Sequence, residues 1–220
     1  MLLSLKVGLA AMLAGLPLAY GIGWLLARRQ FPGKTLFDAL VHLPLVLPPV
    51  ITGWLLLLAF GVRGPIGSRL EAWFGVSVMF DWTGAALASG VMALPLMVRA
   101  MRLSIEAVDR RLENAARTLG ATPWWVFLSV TLPLSLPGVI SAAVLGFARS
   151  IGEFGATITF VSNIPGETQT LPLAIYSALQ RPDGDASVMR LAVISVLLSI
   201  GALVASELLM RRGAGSRHVI

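Results

Sequence analysis

Residues 109–133 read DRRLENAARTLGATPWWVFLSVTLP and form a charged, amphipathic stretch between strongly apolar segments. An i, i+3, i+4, i+7 spacing places apolar side chains on one side of a short helix, and here these are Leu112, Ala115, Ala116 and Leu119. Gly120 lies where a helix C-terminus needs a residue free to take a positive φ. Thr122 and Pro123 then supply the N-cap and first turn of another helix. The stretch predicts helix, glycine break and helix, with an apolar face that needs a partner surface.

The composition of the whole chain is that of an integral membrane protein. Hydrophobic residues make up 56% of its 220 residues and charged residues 13%, whereas a soluble domain has about 25% charged residues. A helix needs about 20 apolar residues to cross the hydrocarbon core of a bilayer. Five runs meet this length, and we therefore expect an all-α polytopic protein with about five spans. The runs are Leu2 to Ala27, Ala39 to Gly61, Thr83 to Leu103, Gly138 to Val161 and Val188 to Met210.

The basic residues predict the orientation of these runs. Eleven of the 17 lysines and arginines lie near the ends of the first, third and fifth runs or after them, five lie on the opposite side, and Arg149 lies within the fourth. Because cytoplasmic flanks accumulate lysine and arginine, this asymmetry predicts that the N-terminus lies outside the cell membrane and the C-terminus in the cytoplasm. The charges flank apolar spans and no polar domain surrounds them, so nucleic-acid binding is not expected.

The sequence offers no site for catalysis, a metal or a cofactor. It has no cysteine, and its two histidines, His42 and His218, are far apart. The triplet that begins at Gly33 has the Gly-Lys-Thr of a phosphate-binding loop, but Arg28 stands where that motif requires a glycine. The sequence therefore does not predict that this chain hydrolyses ATP itself.

The charged stretch resembles the EAA loop of binding-protein-dependent ABC importer permeases. The motif of that loop is an acidic residue, two alanines, a glycine and, ten residues on, Ile-x-Leu-Pro. The corresponding residues here are Glu113, Ala115, Ala116, Gly120 and, with Val in place of Ile, Val130 to Pro133. Glu113 lies seven residues before the glycine instead of six, and Asn114 occupies the usual acidic position. Glu113 therefore points about 100° away around the helix.

Three further segments resemble the molybdate permeases of this family. They are HLPLVLPPVITGWLLL from His42, LPLMVRAMRL from Leu94 and FARSIGEFGATITFVSNIPGETQTLP from Phe147. The resemblance implies a type I ABC importer permease-like fold, in one permease domain over residues 1–220. It also implies a location in the bacterial inner membrane and import of molybdate or tungstate.

The resemblance further implies the partners and the roles of the loop. A second copy of the chain would form a homodimer with the path on its twofold axis, two cytoplasmic ATP-binding subunits would receive the loops, and a periplasmic oxyanion-binding protein would deliver substrate. Within a coupling loop of about residues 105–133, the residues expected to couple to the ATPase are Leu112, Glu113, Ala115, Ala116, Leu119 and Gly120.

Two other functions remain open at this point. A sulfate or thiosulfate ABC permease has similar pore requirements, because these anions are also tetrahedral dianions. A stand-alone secondary anion transporter would use the Arg149 and Glu153 pair as its ion-coupling site. Such a transporter has no reason to present an apolar-faced helix to the cytoplasm, and this argues against the last alternative.

Arg149 and Glu153 are the candidate residues of the translocation path. They stand i, i+4 near the middle of the fourth run, where an unpaired ionised side chain costs about 3 kcal/mol on the insertion scale. One hypothesis is a self-neutralising structural pair. The other is that the Arg149 guanidinium donates hydrogen bonds to a tetrahedral dianion, while Glu153 holds the Arg149 side chain in place.

Two further segments carry structural expectations. Pro44, Pro48 and Pro49 lie at the start of the second run and predict helix starts or kinks. The stretch from Ser162 to Ser187 is rich in turn residues and predicts a long external loop that is partly re-entrant or docks a binding protein.

Overall fold

The computed structural model describes residues 1–215, with side chains described through residue 201 and at residue 204, and its described part is all-α without strands, as expected. A π-helical turn, Phe127–Thr131, joins two of the helices. The helices are α1 Leu2–Arg28, α2 Lys34–Val46, α3 Pro49–Phe60, α4 Gly67–Phe74, α5 Trp82–Glu106, α6 Arg110–Thr118, α7 Pro123–Val126, α8 Leu132–Ile151, α9 Gly155–Val161, α10 Leu171–Leu179 and α11 Asp185–Gly215.

Three long helices, α1, α5 and α8, pack together as the centre of the fold. Helices α1 and α5 run parallel, since Gly15 lies against Met97 and Gly23 against Met101. Helix α8 runs antiparallel to both. Its early residue Ser135 lies 2.9 Å from the hydroxyl of Tyr20 near the end of α1.

Small residues allow this close packing. Gly138, Ala142 and Gly146 are all buried on α8. A Cβ atom at Gly146 would come within 2.6 Å of Met97 Sδ on α5, so the glycine is required by the approach of the two helices. Without a hydrophobic driving force in lipid, such close van der Waals contact is what holds membrane helices together.

The second predicted span is a bent pair of helices. The chain bends by 115° between α2 and α3. Pro48 is the N-cap of α3 and Pro49 is its first residue. Pro48 and Pro49 thus mark a helix start, as predicted, whereas Pro44 lies inside α2. Because α1 and α5 are parallel, the segment between them must carry the chain back across the membrane. The pair α2–α3 therefore acts as one broken span.

The described residues contain three helical stretches that are long and apolar enough to cross a membrane, or four when α2–α3 counts as one. The fifth predicted run lies within α11, where most side chains beyond residue 201 fall outside the described part. Arg217 and His218 lie outside the described residues altogether.

The fourth span differs from the sequence expectation. It begins at Pro123, passes through the π-helical turn and ends at Ile151, so it starts 15 residues before the predicted Gly138. A break at 152–154 then separates α8 from α9. The expected position of Arg149 and Glu153 near the middle of one continuous helix is therefore wrong, because Arg149 lies in the last turn of α8 and Glu153 in the break that follows it. The external stretch is also more ordered than predicted, since it contains α10.

Candidate functional site

The coupling loop has the predicted helix, glycine break and helix. The Asp109 carboxylate caps α6 by accepting from the Arg111 backbone N–H at 2.9 Å. Gly120 has a φ of +88°, and its N–H donates to the Arg117 carbonyl at 3.0 Å while that of Ala121 donates to the Ala116 carbonyl at 3.1 Å. This is the Schellman arrangement that satisfies the last carbonyls of a helix.

The second helix of the loop also begins as the sequence predicts. Thr122 is the N-cap of α7, and its hydroxyl accepts from the Trp125 N–H at 3.4 Å. Pro123 occupies the first helical turn, where its missing N–H is not needed. The π-helical turn follows directly and leads into α8. The loop is therefore continuous with a membrane-crossing helix, and a force on α6 can be transmitted to α8.

Helix α6 presents an uncovered apolar side, which we call the coupling face and define as Leu112, Ala115, Ala116 and Leu119. Leu112 is 50% exposed and Leu119 89% exposed. Ala115 is exposed and Ala116 is half-buried. The side chains of Trp124 and Trp125 extend this apolar surface onto α7. Nothing in the described part of the chain covers it.

The opposite side of α6 faces the body of the protein. Its residues line a cavity of about 430 Å³ between the end of α1 and the start of the fourth span. We call this the basic cavity. Its charged and polar lining residues are Arg28, Arg29, Arg110, Glu113, Asn114, Arg117 and Thr131. The sequence pattern showed that α6 is charged as well as amphipathic, but not that its charged residues line a cavity.

Glu113 lies on the cavity side and holds the loop in place. Its Oε1 atom is 2.9 Å from Arg28 Nη2 on α1 and accepts from the Thr131 hydroxyl at 2.8 Å. The same Arg28 nitrogen donates to the Val108 carbonyl at 3.1 Å. The offset of about 100° from the usual acidic position is the signal in the sequence that separates Glu113 from the coupling face.

Arg149 and Glu153 form an ion pair across the end of α8. Arg149 Nη1 lies 2.7 Å from Glu153 Oε2, and the side chains are 27% and 1% exposed. The other carboxylate oxygen of Glu153 accepts from the Ala156 N–H at 2.8 Å, in the first turn of α9. The cation thus lies at a helix C-terminus and the anion at a helix N-terminus, where the helix dipoles stabilise each charge.

A second charged group joins the bent span to α5 and was missed by the sequence analysis. Arg102 donates to Asp38 Oδ2 at 2.9 Å and to Glu106 Oε1 at 2.9 Å. The Nδ1 atom of His42 lies 3.1 Å from Asp38 Oδ1. The spacing of Arg102 and Glu106 is visible in the sequence, but Asp38 is 64 residues away from Arg102. No group of three potential metal ligands occurs in the described residues.

Comparison with known proteins assigns this architecture to a family. Residues 19–213 match the family described as "Binding-protein-dependent transport system inner membrane component". The chain belongs to this family. It is therefore a multi-pass inner-membrane permease component, and the resemblance to binding-protein-dependent importer permeases is confirmed at the level of the family.

Relatives of this permease extend over nearly its whole length. It is 58% identical to the molybdenum transport system permease protein ModB of Escherichia coli K12, over 96% of this chain and 92% of that protein. It is 39% identical to the putative molybdenum transport system permease protein YvgM of Bacillus subtilis, over 89% of this chain and 88% of that protein. A sulfate transport system permease protein, CysT of Escherichia coli K12, is 39% identical over 83% of this chain and 67% of its own length.

Solved structures confirm the fold of the permease. An inward-facing MetNI methionine ABC transporter superposes with a TM-score of 0.73 at 18% identity, covering 96% of this chain and 93% of that one. A bacterial alginate ABC transporter in complex with a pentasaccharide-bound periplasmic protein gives a TM-score of 0.73 at 18% identity, covering 96% and 77%. The expected type I importer permease-like fold is therefore correct.

Proposed function

We propose that this chain is the membrane-spanning permease subunit of an ATP-driven ABC importer that moves molybdate from a periplasmic binding protein to the cytoplasm. The observation that carries this proposal is the 58% identity to ModB over 96% of this chain. The sulfate permease CysT matches at 39% over a smaller share of both chains, so sulfate is the second candidate. Tungstate has the same charge and shape as molybdate and belongs to the same proposal.

The coupling face is the proposed docking surface for a separate ATP-binding subunit. It is apolar and uncovered, and the Gly120 break fixes its direction relative to α7. Glu113 contributes by tying α6 to Arg28 and Thr131, at distances of 2.9 and 2.8 Å. In this proposal Glu113 is a positioning residue, and the four residues of the coupling face make the contact with the ATPase.

The proposed assembly has two copies of this chain around a twofold axis, with one ATP-binding subunit on each loop. The described part of one chain supplies only three or four spans, which is few for a closed path, and closed twofold symmetry is the commonest arrangement of soluble homo-oligomers. We propose that residues 1–220 form one permease domain, with the N-terminus in the periplasm and the C-terminus in the cytoplasm. The parallel α1 and α5 support this orientation, because the basic residues that follow them then lie on one side.

Two roles for Arg149 and Glu153 are compatible with their geometry. Glu153 is almost fully buried and uses both oxygens, which supports a structural pair at the α8–α9 junction. Arg149 retains 27% exposure of its side chain, which supports the proposal that it lines the path while Glu153 holds it. A double substitution separates the two roles.

The proposed function is tested by letting this chain replace ModB in Escherichia coli. An Escherichia coli strain that lacks ModB, but keeps the other components of its system, receives this chain, and uptake of labelled molybdate is measured. We expect restored uptake that tungstate inhibits and a hundredfold excess of sulfate does not. Preferential uptake of sulfate would favour the second candidate. Uptake that persists when the ATP-binding subunit is also deleted would indicate a stand-alone transporter and refute the proposal.

A further inference from the structure

The basic cavity has a strong excess of positive charge. In the described part of the chain its lining includes the four arginines 28, 29, 110 and 117, and Glu113 is its acidic residue. Glu113 is already satisfied by Arg28 and by the Thr131 hydroxyl. The other three arginines line the same space of about 430 Å³. Arg110 Nη2 donates to the Ala27 carbonyl at 3.5 Å, and among the described residues the ion pair in the cavity wall is that of Arg28 with Glu113.

Arg28 provides a buried donor in the wall of this cavity. Its side chain is 8% exposed, and its Nε atom has no hydrogen-bond partner among the described residues. A buried donor of a charged group that lacks an acceptor is costly. Arginine is also the side chain whose planar donors best match the oxygens of phosphate and related anions. Arg28 is a lining residue of the cavity, so an oxyanion there would contact the part of this guanidinium group that is still exposed and offset the cost of burying its charge.

The position of the cavity brings it to the level of lipid headgroups. It lies at the C-terminal end of the membrane-spanning α1, and its lining combines the arginines with Trp24, Val126 and Phe127. The Arg29 guanidinium carbon lies 5.6 Å from the centre of the Trp24 ring. Basic pockets between membrane helices at the cytoplasmic side suit the phosphate of anionic lipid headgroups.

We propose that the basic cavity binds a phosphate-type oxyanion, supplied by the headgroup of an anionic phospholipid or by free phosphate. The anion would bridge the end of α1, through Arg28 and Arg29, to the inner side of α6, through Arg110 and Arg117. The coupling face points the other way and stays free for a protein partner. The site is independent of which anion the permease transports.

Binding is measured on the purified full-length chain in phosphatidylcholine nanodiscs. One arm increases the fraction of phosphatidylglycerol, and the other adds inorganic phosphate to pure phosphatidylcholine discs, with sodium chloride of equal ionic strength as reference. The readout is the concentration dependence of the melting temperature. Native mass spectrometry counts the phosphatidylglycerol molecules that stay bound. The test variant is Arg29→Gln/Arg117→Gln, which leaves the buried Arg28 in place. The matched control is Lys34→Gln/Arg111→Gln, which removes two positive charges from the same end of the molecule but outside the cavity lining.

We expect one of the two probes to stabilise the unmodified chain in a saturable way. The apparent affinity for that probe should be at least about tenfold lower in the test variant. In the control variant the apparent affinity should change by less than about twofold. A response to phosphatidylglycerol alone identifies the lipid headgroup, and a response to phosphate in phosphatidylcholine discs identifies the free anion. Equal losses in both variants, unchanged affinity in the test variant, or no response beyond that to chloride would overturn the proposal.

Discussion

Arg28 Nη2 and Glu113 Oε1 lie 2.9 Å apart and join the end of α1 to the coupling loop, although the two residues are 85 positions apart in the chain. Both side chains are largely buried, at 8% and 11% exposure. Thr131 shares the same carboxylate oxygen. Three separate segments therefore meet at one acceptor, and the position of α6 relative to the membrane helices depends on it.

Removing one partner of this pair is expected to loosen the loop. Glu113→Ala leaves the Arg28 charge buried without its counterion, at a cost of about 3–5 kcal/mol. We expect a lower melting temperature and faster amide hydrogen exchange over residues 109–122. The exposed Thr118→Ala on the same helix serves as control and changes neither. Exchange in Glu113→Ala that matches the unmodified chain would show that the ion pair does not anchor the loop.

Gly120 is expected to tolerate asparagine but not valine. Its φ of +88° lies in the region that asparagine visits and that a β-branched residue avoids, at a cost of about 1–2 kcal/mol or more. Gly120→Val should redirect α7 relative to α6, so that molybdate uptake and transport-coupled ATP hydrolysis fall while membrane insertion persists. Gly120→Asn should retain most of the uptake. Equal uptake in the two variants would mean that the backbone conformation at this break is unimportant for coupling.

The coupling face is expected to lose its partner when it carries a charge. Ala115→Glu places an uncompensated carboxylate in the middle of the apolar surface, and burying it against another protein is costly. Co-purification of the ATP-binding subunit should fall at least about tenfold. The control is Thr118→Glu, which adds the same charge to α6 away from the apolar side. Retained assembly in Ala115→Glu, or an equal loss in both variants, would argue against docking through this face.

Local signals in the sequence predicted the coupling loop well, because its structure depends on local chemistry. Gly120, Thr122 and Pro123 each act within one helical turn, and the structure has all three in the expected roles. The Arg28–Glu113 contact could not be predicted, since it depends on the packing of α1 against α5 and α8. The start of the fourth span was missed for a different reason. Pro133 and Pro137 have no backbone N–H to donate, which disfavours regular helix before them, but the π-helical turn Phe127–Thr131 allows the helix to continue through this region.

The orientation can be tested with reporters at two sites. The excess of lysine and arginine near the ends of the first, third and fifth runs or after them predicts that a fusion after Arg212 is cytoplasmic and an insertion near Gly184 is periplasmic. Alkaline phosphatase should be active only at Gly184, and green fluorescent protein should fluoresce only after Arg212. The reverse pattern would contradict the assignment and place the coupling loop on the wrong side for an ATP-binding subunit.

A double substitution separates the two roles of Arg149. If Arg149 lines the path, Arg149→Gln should reduce molybdate uptake strongly while expression persists, and adding Glu153→Gln should not restore it. If the pair is only structural, the single change leaves the buried Glu153 carboxylate uncompensated, at about 3–5 kcal/mol, and the double change should recover folded protein and uptake together. Gel filtration and uptake measured side by side distinguish the outcomes, and recovery in the double variant refutes the path role.

The 115° bend between α2 and α3 also constrains how the protein can move. Straightening the pair into one regular helix would require backbone donors at positions 48 and 49, and proline has none at either. The missing N–H groups also lower the free-energy cost of the bend inside the membrane. The first turn of α3 exposes fewer unsatisfied N–H groups to the low-dielectric lipid or protein around it. The bend is thus expected in every stage of the transport cycle. Any movement of this segment during transport would then carry α2 and α3 together as one bent unit.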